Sequence, residues 1–213
     1  MLWIGYFNQT RLSKHAGLWA EAQLRFNDNF ANHLHTVLLR TGYVHYFSDR
    51  SRLTAGYAFV TAHGLNGDIT STEHRPWQQI QWFEKKNHFS MMQWIRIEQR
   101  FVAPVEEDFS FLSHRIRYNL ALSIPLGSKE VQPKTPFIFT SNEVFVNLGK
   151  NIVNNYFDQN RFFIGLGYQF TAGLNAQLGY QNVFQQQPEG SRYIHTDAIR
   201  FSVFHNLDLR SGD

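Results

Sequence analysis

"SMMQWIRIEQRF", residues 90–101, alternates in character with a period of two, the pattern of a β-strand. Trp94, Arg96, Glu98 and Arg100 fall on one face, and Met91, Ile95, Ile97 and Phe101 on the other. If the apolar face packs into a protein core, the charges simply meet water. If it meets lipid, they must be enclosed in something closed. The choice between a soluble sheet and a membrane barrel turns on this stretch.

Composition narrows the choice. The chain has 213 residues with a mean hydropathy of −0.38, and 16% of them are aromatic, including 20 Phe. No window approaches the ~18 consecutive apolar residues of a membrane helix, which excludes a helical membrane protein. A transmembrane β-barrel stays open, because its strands are apolar only at every second position. Cysteine is absent, so disulfides, thiolate metal sites and cysteine nucleophiles are excluded. The net charge of +3 comes without a Lys/Arg block, so no nucleic-acid partner is expected. No linker or shift of composition divides residues 1–213, which read as one domain. Met1 leads directly into the strand-like "LWIGYF" with no signal-peptide pattern, as in a mature sequence with an added start codon or a protein that is not exported.

Alternation elsewhere predicts about eleven strands, at 2–12, 16–27, 36–47, 52–62, 74–84, 89–102, 109–124, 135–148, 161–171, 174–185 and 197–209. Many exceed the usual soluble length and sit near the ~9–11 residues that cross a bilayer at a tilt. Tight connections ("SKHA", "SDRS", "KKNH", "TAG") alternate with longer polar ones, including "AHGLNGDITST", "APVEED" and "QQQPEGSRYIHT". Short periplasmic turns and longer extracellular loops are the asymmetry of an outer-membrane barrel. "PLGSKEVQPKT" departs from it, being long where a short turn is expected.

The two faces separate cleanly. Phe162, Ile164, Leu166 and Tyr168 oppose Arg161, Phe163, Gly165 and Gly167; Leu174, Ala176, Leu178 and Tyr180 oppose Asn175, Gln177, Gly179 and Gln181. The polar face collects Arg25, Arg40, Arg75, Arg96, Arg100, Arg115, Arg117, Arg161 and Arg200, with Gln79, Gln81, Gln169, Gln177 and Gln181, and almost no lysine. An arginine facing lipid near the midplane costs ~2–4 kcal/mol, so nine facing outward would cost more than a domain's whole stability. The arginines of a membrane barrel therefore face in, joined by Glu21, Glu98 and Glu143 in a lumen network. Nine positive charges against three negative leave an excess of six, and carboxylates from "VEED" (105–108), Asp158 and Asp197 are expected to fold into the mouth. The surroundings expected for such a barrel are outer-membrane lipid and lipopolysaccharide, with other outer-membrane proteins as further partners. The alternative fold is a soluble β-domain with an arginine-rich surface.

In order along the chain, "LWIGYFNQTRLSKHAGLWAEAQLRF", "LLRTGYVHYFSD", "EHRPWQQ" (73–79), "RIEQRF" (96–101), "HRIRYNLALSIPL" (114–126), "NEVFVNLGKN" (142–151) and "FDQNRFFIGLGYQF" (157–170) resemble a family of bacterial outer-membrane barrels catalogued as a domain of unknown function. The resemblance implies an antiparallel transmembrane barrel of about 10–12 strands in the bacterial outer membrane, and no activity. Strand parity conflicts with it, since eleven strands do not place both chain ends in the periplasm. Either the "LWIGYF" strand pairs in a special way, a strand precedes it, or one assignment is wrong.

Catalytic and metal chemistry was sought among the ten histidines. His33 and His35 share a strand face, a spacing that can hold a metal, but no third ligand is identifiable, and neither metal nor cofactor is expected. Ser113 adjoins His114, yet neighbours on a strand point to opposite faces and cannot form a nucleophile–base pair. Glu73, His74 and Arg75 at the mouth of a strand, and His195 with Asp197, are the candidates for a membrane-embedded lipid hydrolase of phospholipase or lipid A deacylase type. The preferred reading is a non-enzymatic barrel, either a scaffold or accessory subunit or a very restricted pore, with its lumen largely filled.

Overall fold

The computed structural model describes residues 1–27, 31–86, 88–105, 107–149, 152, 154–187 and 189–210. The alternation seen in the sequence becomes eleven strands: β1 (Leu2–Arg11), β2 (Ala16–Asn27), β3 (His33–Tyr46), β4 (Ser51–His63), β5 (Ile69–Lys86), β6 (Phe89–Pro104), β7 (Ser110–Pro125), β8 (Thr135–Leu148), β9 (Phe157–Gln169), β10 (Leu174–Gln186) and β11 (Tyr193–Asp208). Each pairs with its chain neighbours, and the sheet closes into a barrel. Closure leaves no unpaired edge, the condition for a sheet in lipid.

The parity conflict is resolved at the seam. Ten successive reversals leave β1 and β11 running the same way, so they pair in parallel from Leu2↔Ile199 to Arg11↔Asp208, while every other pair is antiparallel. The ladder runs past both ends of β1, with Ile199 N–H donating to Met1 O and Leu209 N–H to Arg11 O, each at 2.9 Å.

Strands exceed their expected limits mostly at the long-loop end. β5 begins at Ile69, β9 at Phe157 and β11 at Tyr193, so the connections there shrink to 28–32, 64–68, 105–109, 149–156 and 187–192. Polar flanks such as "ITST" carry no apolar alternation, yet they continue the ladder, because backbone pairing needs no particular side chain.

The outer surface is apolar around the circumference. Ile4, Leu18, Leu39, Leu53, Ile95, Leu166 and Leu178 are all exposed, from strands on every side. A continuous belt of that kind has no counterpart on a soluble monomer, whose largest apolar patches reach a few hundred Å². The inward face carries the arginines and also large rings: Trp77 and Phe163 are fully buried, and Phe145 nearly so. Interior apolar side chains thus take a larger share of the lumen than the arginine and glutamine pattern foretold. Ala121, Phe137, Phe139 and Phe163 form one cluster, with Met92 and Val131 packed against it. Val131 explains the anomalous "PLGSKEVQPKT". That connection has the length to set an apolar side chain on the cluster while most of its other residues stay exposed.

Glycine makes room for these rings. A β-carbon at Gly167 would overlap the Phe137 ring, and one at Gly42 would come within 3.1 Å of the Trp77 indole. Gly167→Val is expected to destabilise the barrel by ~1–3 kcal/mol, the usual cost of overpacking. Combination with Phe137→Leu should restore part of the loss, read as denaturation midpoints in a double-mutant cycle. Additive effects would show that the two positions do not compete for the same space.

Candidate functional site

The site is built by inward-facing positions of all strands, in two layers. The first is a network of paired charges centred on Glu98, which is fully buried in β6. Glu98 Oε1 accepts from Arg40 Nη2 (2.9 Å) and Arg117 Nη1 (2.7 Å), with Arg96 Nη1 at 3.8 Å. Arg40 also donates to both oxygens of Glu21 (3.0 and 2.9 Å), and Arg117 Nε donates to Glu143 (2.6 Å). Arg40 lies on β3 and Glu98 on β6, three strands apart, so this ion pair spans part of the lumen and ties two separate stretches of wall together. Nearer the long loops, Glu73 is clasped by Arg75 (2.6 Å to each oxygen) and by Arg100 (2.5 and 3.0 Å). Arg115 Nη2 meets Asp158 at 3.0 Å.

The structure brings Glu21, Arg40, Arg75, Arg96, Glu98, Arg100, Arg115, Arg117 and Glu143 into paired contacts, and it sets Arg25, Arg161 and Arg200 apart. These three meet no carboxylate within ion-pair distance among the described residues. Each is held by a glutamine carbonyl oxygen: Arg25 by Gln23 (3.3 Å), Arg161 by Gln159 (3.0 Å) and Arg200 by Gln181 (2.9 Å). Arg52, near the short-turn rim, follows the same pattern with Gln81 (3.0 Å). Aromatic faces supply the remaining contacts. The Arg25 and Arg161 guanidinium carbons lie 4.3 and 5.3 Å from the Trp3 ring, and that of Arg200 lies 3.7 Å from Phe163. A glutamine fixes a guanidinium in place without cancelling its charge. The wall from β3 to β8 is thus largely compensated, and the wall from β9 through β11 and β1 to β2 is cationic.

The expected charge excess is corrected. Glu73 and Asp158 also face the interior, where both are buried, and Arg52 joins the inward arginines, so ten arginines meet five carboxylates and the excess falls from six to five among the described residues. Of the loop carboxylates expected in the mouth, Asp158 is inside. Glu107 and Asp108 are exposed, Glu106 lies outside the described residues, and Asp197 is on the outer face. Asp197 accepts there from Tyr180 Oη (2.5 Å) and Asn182 Nδ2 (2.9 Å).

A cavity of about 800 Å³ occupies the short-turn half of the lumen. It reaches from Arg11, Tyr46 and Asn206 at the rim to Arg40, Arg96, Arg117, Arg161 and Arg200 at its floor. Beyond the floor lie the buried side chains of Glu98, Trp77, Phe145, Arg115 and Asp158. Among the described residues the cavity is therefore blind toward the long loops. At the rim, Arg11 Nη1 lies 2.5 Å from Asp49 Oδ1, and its hydrogen bond holds the Asp49 carboxyl below the ordinary carboxylate range.

Of the candidate hydrolase groups, Glu73 and His74 do not converge, whereas His195 and Asp197 share the outer face of β11. Glu73 faces the lumen, whereas His74 lies outside against Phe59 and Phe109, with ring centroids 5.2 and 4.3 Å away. Both belong to the interior of β5 and not to its mouth, since that strand starts at Ile69. His195 is exposed beside Phe184 at 4.8 Å. His33 Nδ1 pairs with Asn27 (3.1 Å), and among the described residues no three potential metal ligands come together. The sequence reading missed Trp3, Trp77, Phe145 and Arg52 as parts of the site. The period-two count along β5 from Arg75 reaches Trp77 and along β8 from Glu143 reaches Phe145, but rings there look like core residues, and β1 and β4 held no assigned inward residue from which to count to Trp3 and Arg52.

Comparison with known proteins agrees with this fold. Across nearly the whole chain the fold is similar to two solved porins: the NanC porin (TM-score 0.54, 12% identity, 93% of this chain and 90% of that one) and the KdgM porin in complex with disordered oligogalacturonate (TM-score 0.50, 12% identity, 95% and 88%). An uncharacterised protein of Methylorubrum extorquens is 31% identical over 191 residues, covering 87% of this chain and 79% of that protein. A family profile matched over residues 1–194 settles the family: the chain belongs to the one described as protein of unknown function DUF2490.

Proposed function

We propose that the protein is a non-enzymatic, highly restricted pore of the bacterial outer membrane that prefers anions. Its apolar belt faces lipid, its long loops face lipopolysaccharide, and the blind cavity opens to the periplasm. The observation that carries this reading is the division of the lumen wall: Arg25, Arg52, Arg161 and Arg200 are held by glutamines, so their charge stays uncompensated and projects into a low-dielectric tube. Eight strands are filled by side chains and about sixteen leave an open channel. Eleven strands crowded by Trp77, Phe145 and Phe163 fall near the filled end.

Planar-bilayer recording of the purified barrel tests this. Wild type is expected to show small, rare openings whose reversal potential in a salt gradient indicates anions. Trp77→Ala removes a ring from the packed layer and should raise conductance several-fold while keeping that selectivity. A large, steady, cation-selective conductance from wild type would overturn the proposal. Silence from both proteins would move the reading to a scaffold.

A further inference from the structure

We propose that the floor of the cavity is a binding site for a small polyhydroxylated carboxylate, its charge held by Arg161, Arg200 and the indole N–H of Trp3 and a ligand hydroxyl donating to Gln177. The proposal rests on the anion-preferring reading of the lumen and names the class of solute it would take.

Three observations converge there. The first is charge. Arg161 and Arg200 line the cavity and Arg25 stands beside Trp3, all without a carboxylate partner among the described residues. Enclosed guanidinium groups without a counter-charge are costly, so an anion that enters gains by neutralising them. The planar fork of arginine suits a two-oxygen headgroup such as a carboxylate better than a spherical ion.

The second is a set of unused hydrogen-bonding atoms. Trp3 Nε1, Arg25 Nε and Arg200 Nε are buried donors with no partner, and Gln177 Oε1 is a buried acceptor with none. Trp3 is 8% exposed and Gln177 6%, and both line the cavity. The register places them together. Trp3 sits opposite Arg200 across the parallel seam and opposite Arg25 on its other side, while Gln177 pairs with Ser202, the next inward position after Arg200. These atoms lie just beneath the cavity surface, and a small side-chain shift would present donors at the floor and an acceptor one step toward the mouth to a ligand with a carboxylate at one end and a hydroxyl on the adjoining carbon chain. Buried polar groups favour a hydrogen-bond partner, and four within one cluster leave that capacity open to a ligand's polar atoms.

The third is space. About 800 Å³ lies within the ~300–1,000 Å³ of small-molecule sites, and polar walls such as Asn175 and Ser141 suit a hydroxylated body better than an alkyl one.

The test is calorimetric titration of the detergent-purified barrel with sodium gluconate, against sodium acetate and inorganic phosphate at equal ionic strength. Gluconate should bind at least about tenfold more tightly than either. Arg200→Gln and Arg161→Gln should each weaken it by about tenfold or more, the usual effect of losing a charge-assisted hydrogen bond. Gln177→Leu should erase the preference over acetate while leaving acetate binding unchanged. Retained heat-dependent mobility on SDS gels shows that each variant is folded. No heat of binding with gluconate, equal affinity for phosphate, or unchanged affinity in both arginine variants would overturn the site. Any of these alongside small anion-selective conductance would leave the pore reading standing, and a cation-selective wild type would remove that reading too.

Discussion

Glu98→Ala is expected to lower the denaturation midpoint of the refolded barrel by the equivalent of ~3–5 kcal/mol, with the slope of the transition unchanged. Glu98 is fully buried, and one of its oxygens takes hydrogen bonds from both Arg40 and Arg117. Its removal leaves those two cations and the nearby Arg96 facing each other, with only Glu21 and Glu143 at the edges to offset the three of them. The loss exceeds that of an ordinary ion pair because the guanidiniums cannot turn to water. Arg40 is 3% exposed, and Trp77 packs over it at 5.3 Å. Arg11–Asp49 at the rim is the internal control, since the Asp49 side chain is 79% exposed and Asp49→Ala should not shift the midpoint measurably. A Glu98→Ala midpoint within error of wild type would show that water reaches the centre of the network.

Leu166→Arg should block or strongly slow insertion into lipid bilayers, at a cost of ~2–4 kcal/mol if the position lies near the midplane and less toward the interface. Leu166 is 63% exposed on the outer face of β9, between Ile164 and Tyr168, which face the same way. A guanidinium there must thin the membrane or snorkel to the headgroups. Ser123→Arg is the matched control. Ser123 lines the cavity near the short turns, where an added guanidinium can reach water. Equal folding yields in lipid vesicles for the two variants would mean that the inner and outer faces have been exchanged.

The sequence disclosed the parts of this architecture that follow local rules. Alternation in "WIRIEQR" and "RFFIGLGYQF" placed Arg96, Glu98, Arg161 and Gly165 inside because side-chain direction on a strand depends only on parity. Partner choice was not legible. Whether an inward arginine meets a glutamate or a glutamine depends on how the long side chains reach, and neither parity nor register fixes that: Arg161 stands opposite Glu143 across the ladder yet is held by Gln159 on its own strand, while Arg117 takes Glu143 from a diagonal position. Glu73 was misplaced at a strand mouth because the polar "ITST" preceding it hid four further residues of β5. The parallel pairing of β1 with β11 carries no mark in either strand, because it is imposed by their count. Val131 was hidden for another reason: a single apolar residue in a polar turn gives no periodicity to read.

No histidine or lysine lines the cavity among the described residues. Its positive charge resides on guanidiniums, which keep their protons throughout the biological range, and these are braced by amides that do not ionise. Between about pH 6 and pH 9 none of the side chains that set the sign of the wall has an ordinary pKa to cross. A barrel of this composition is therefore insensitive to acidity by construction. A cell moving between sour and alkaline surroundings would carry the same potential on this wall, and only an occupant or a substitution could change it.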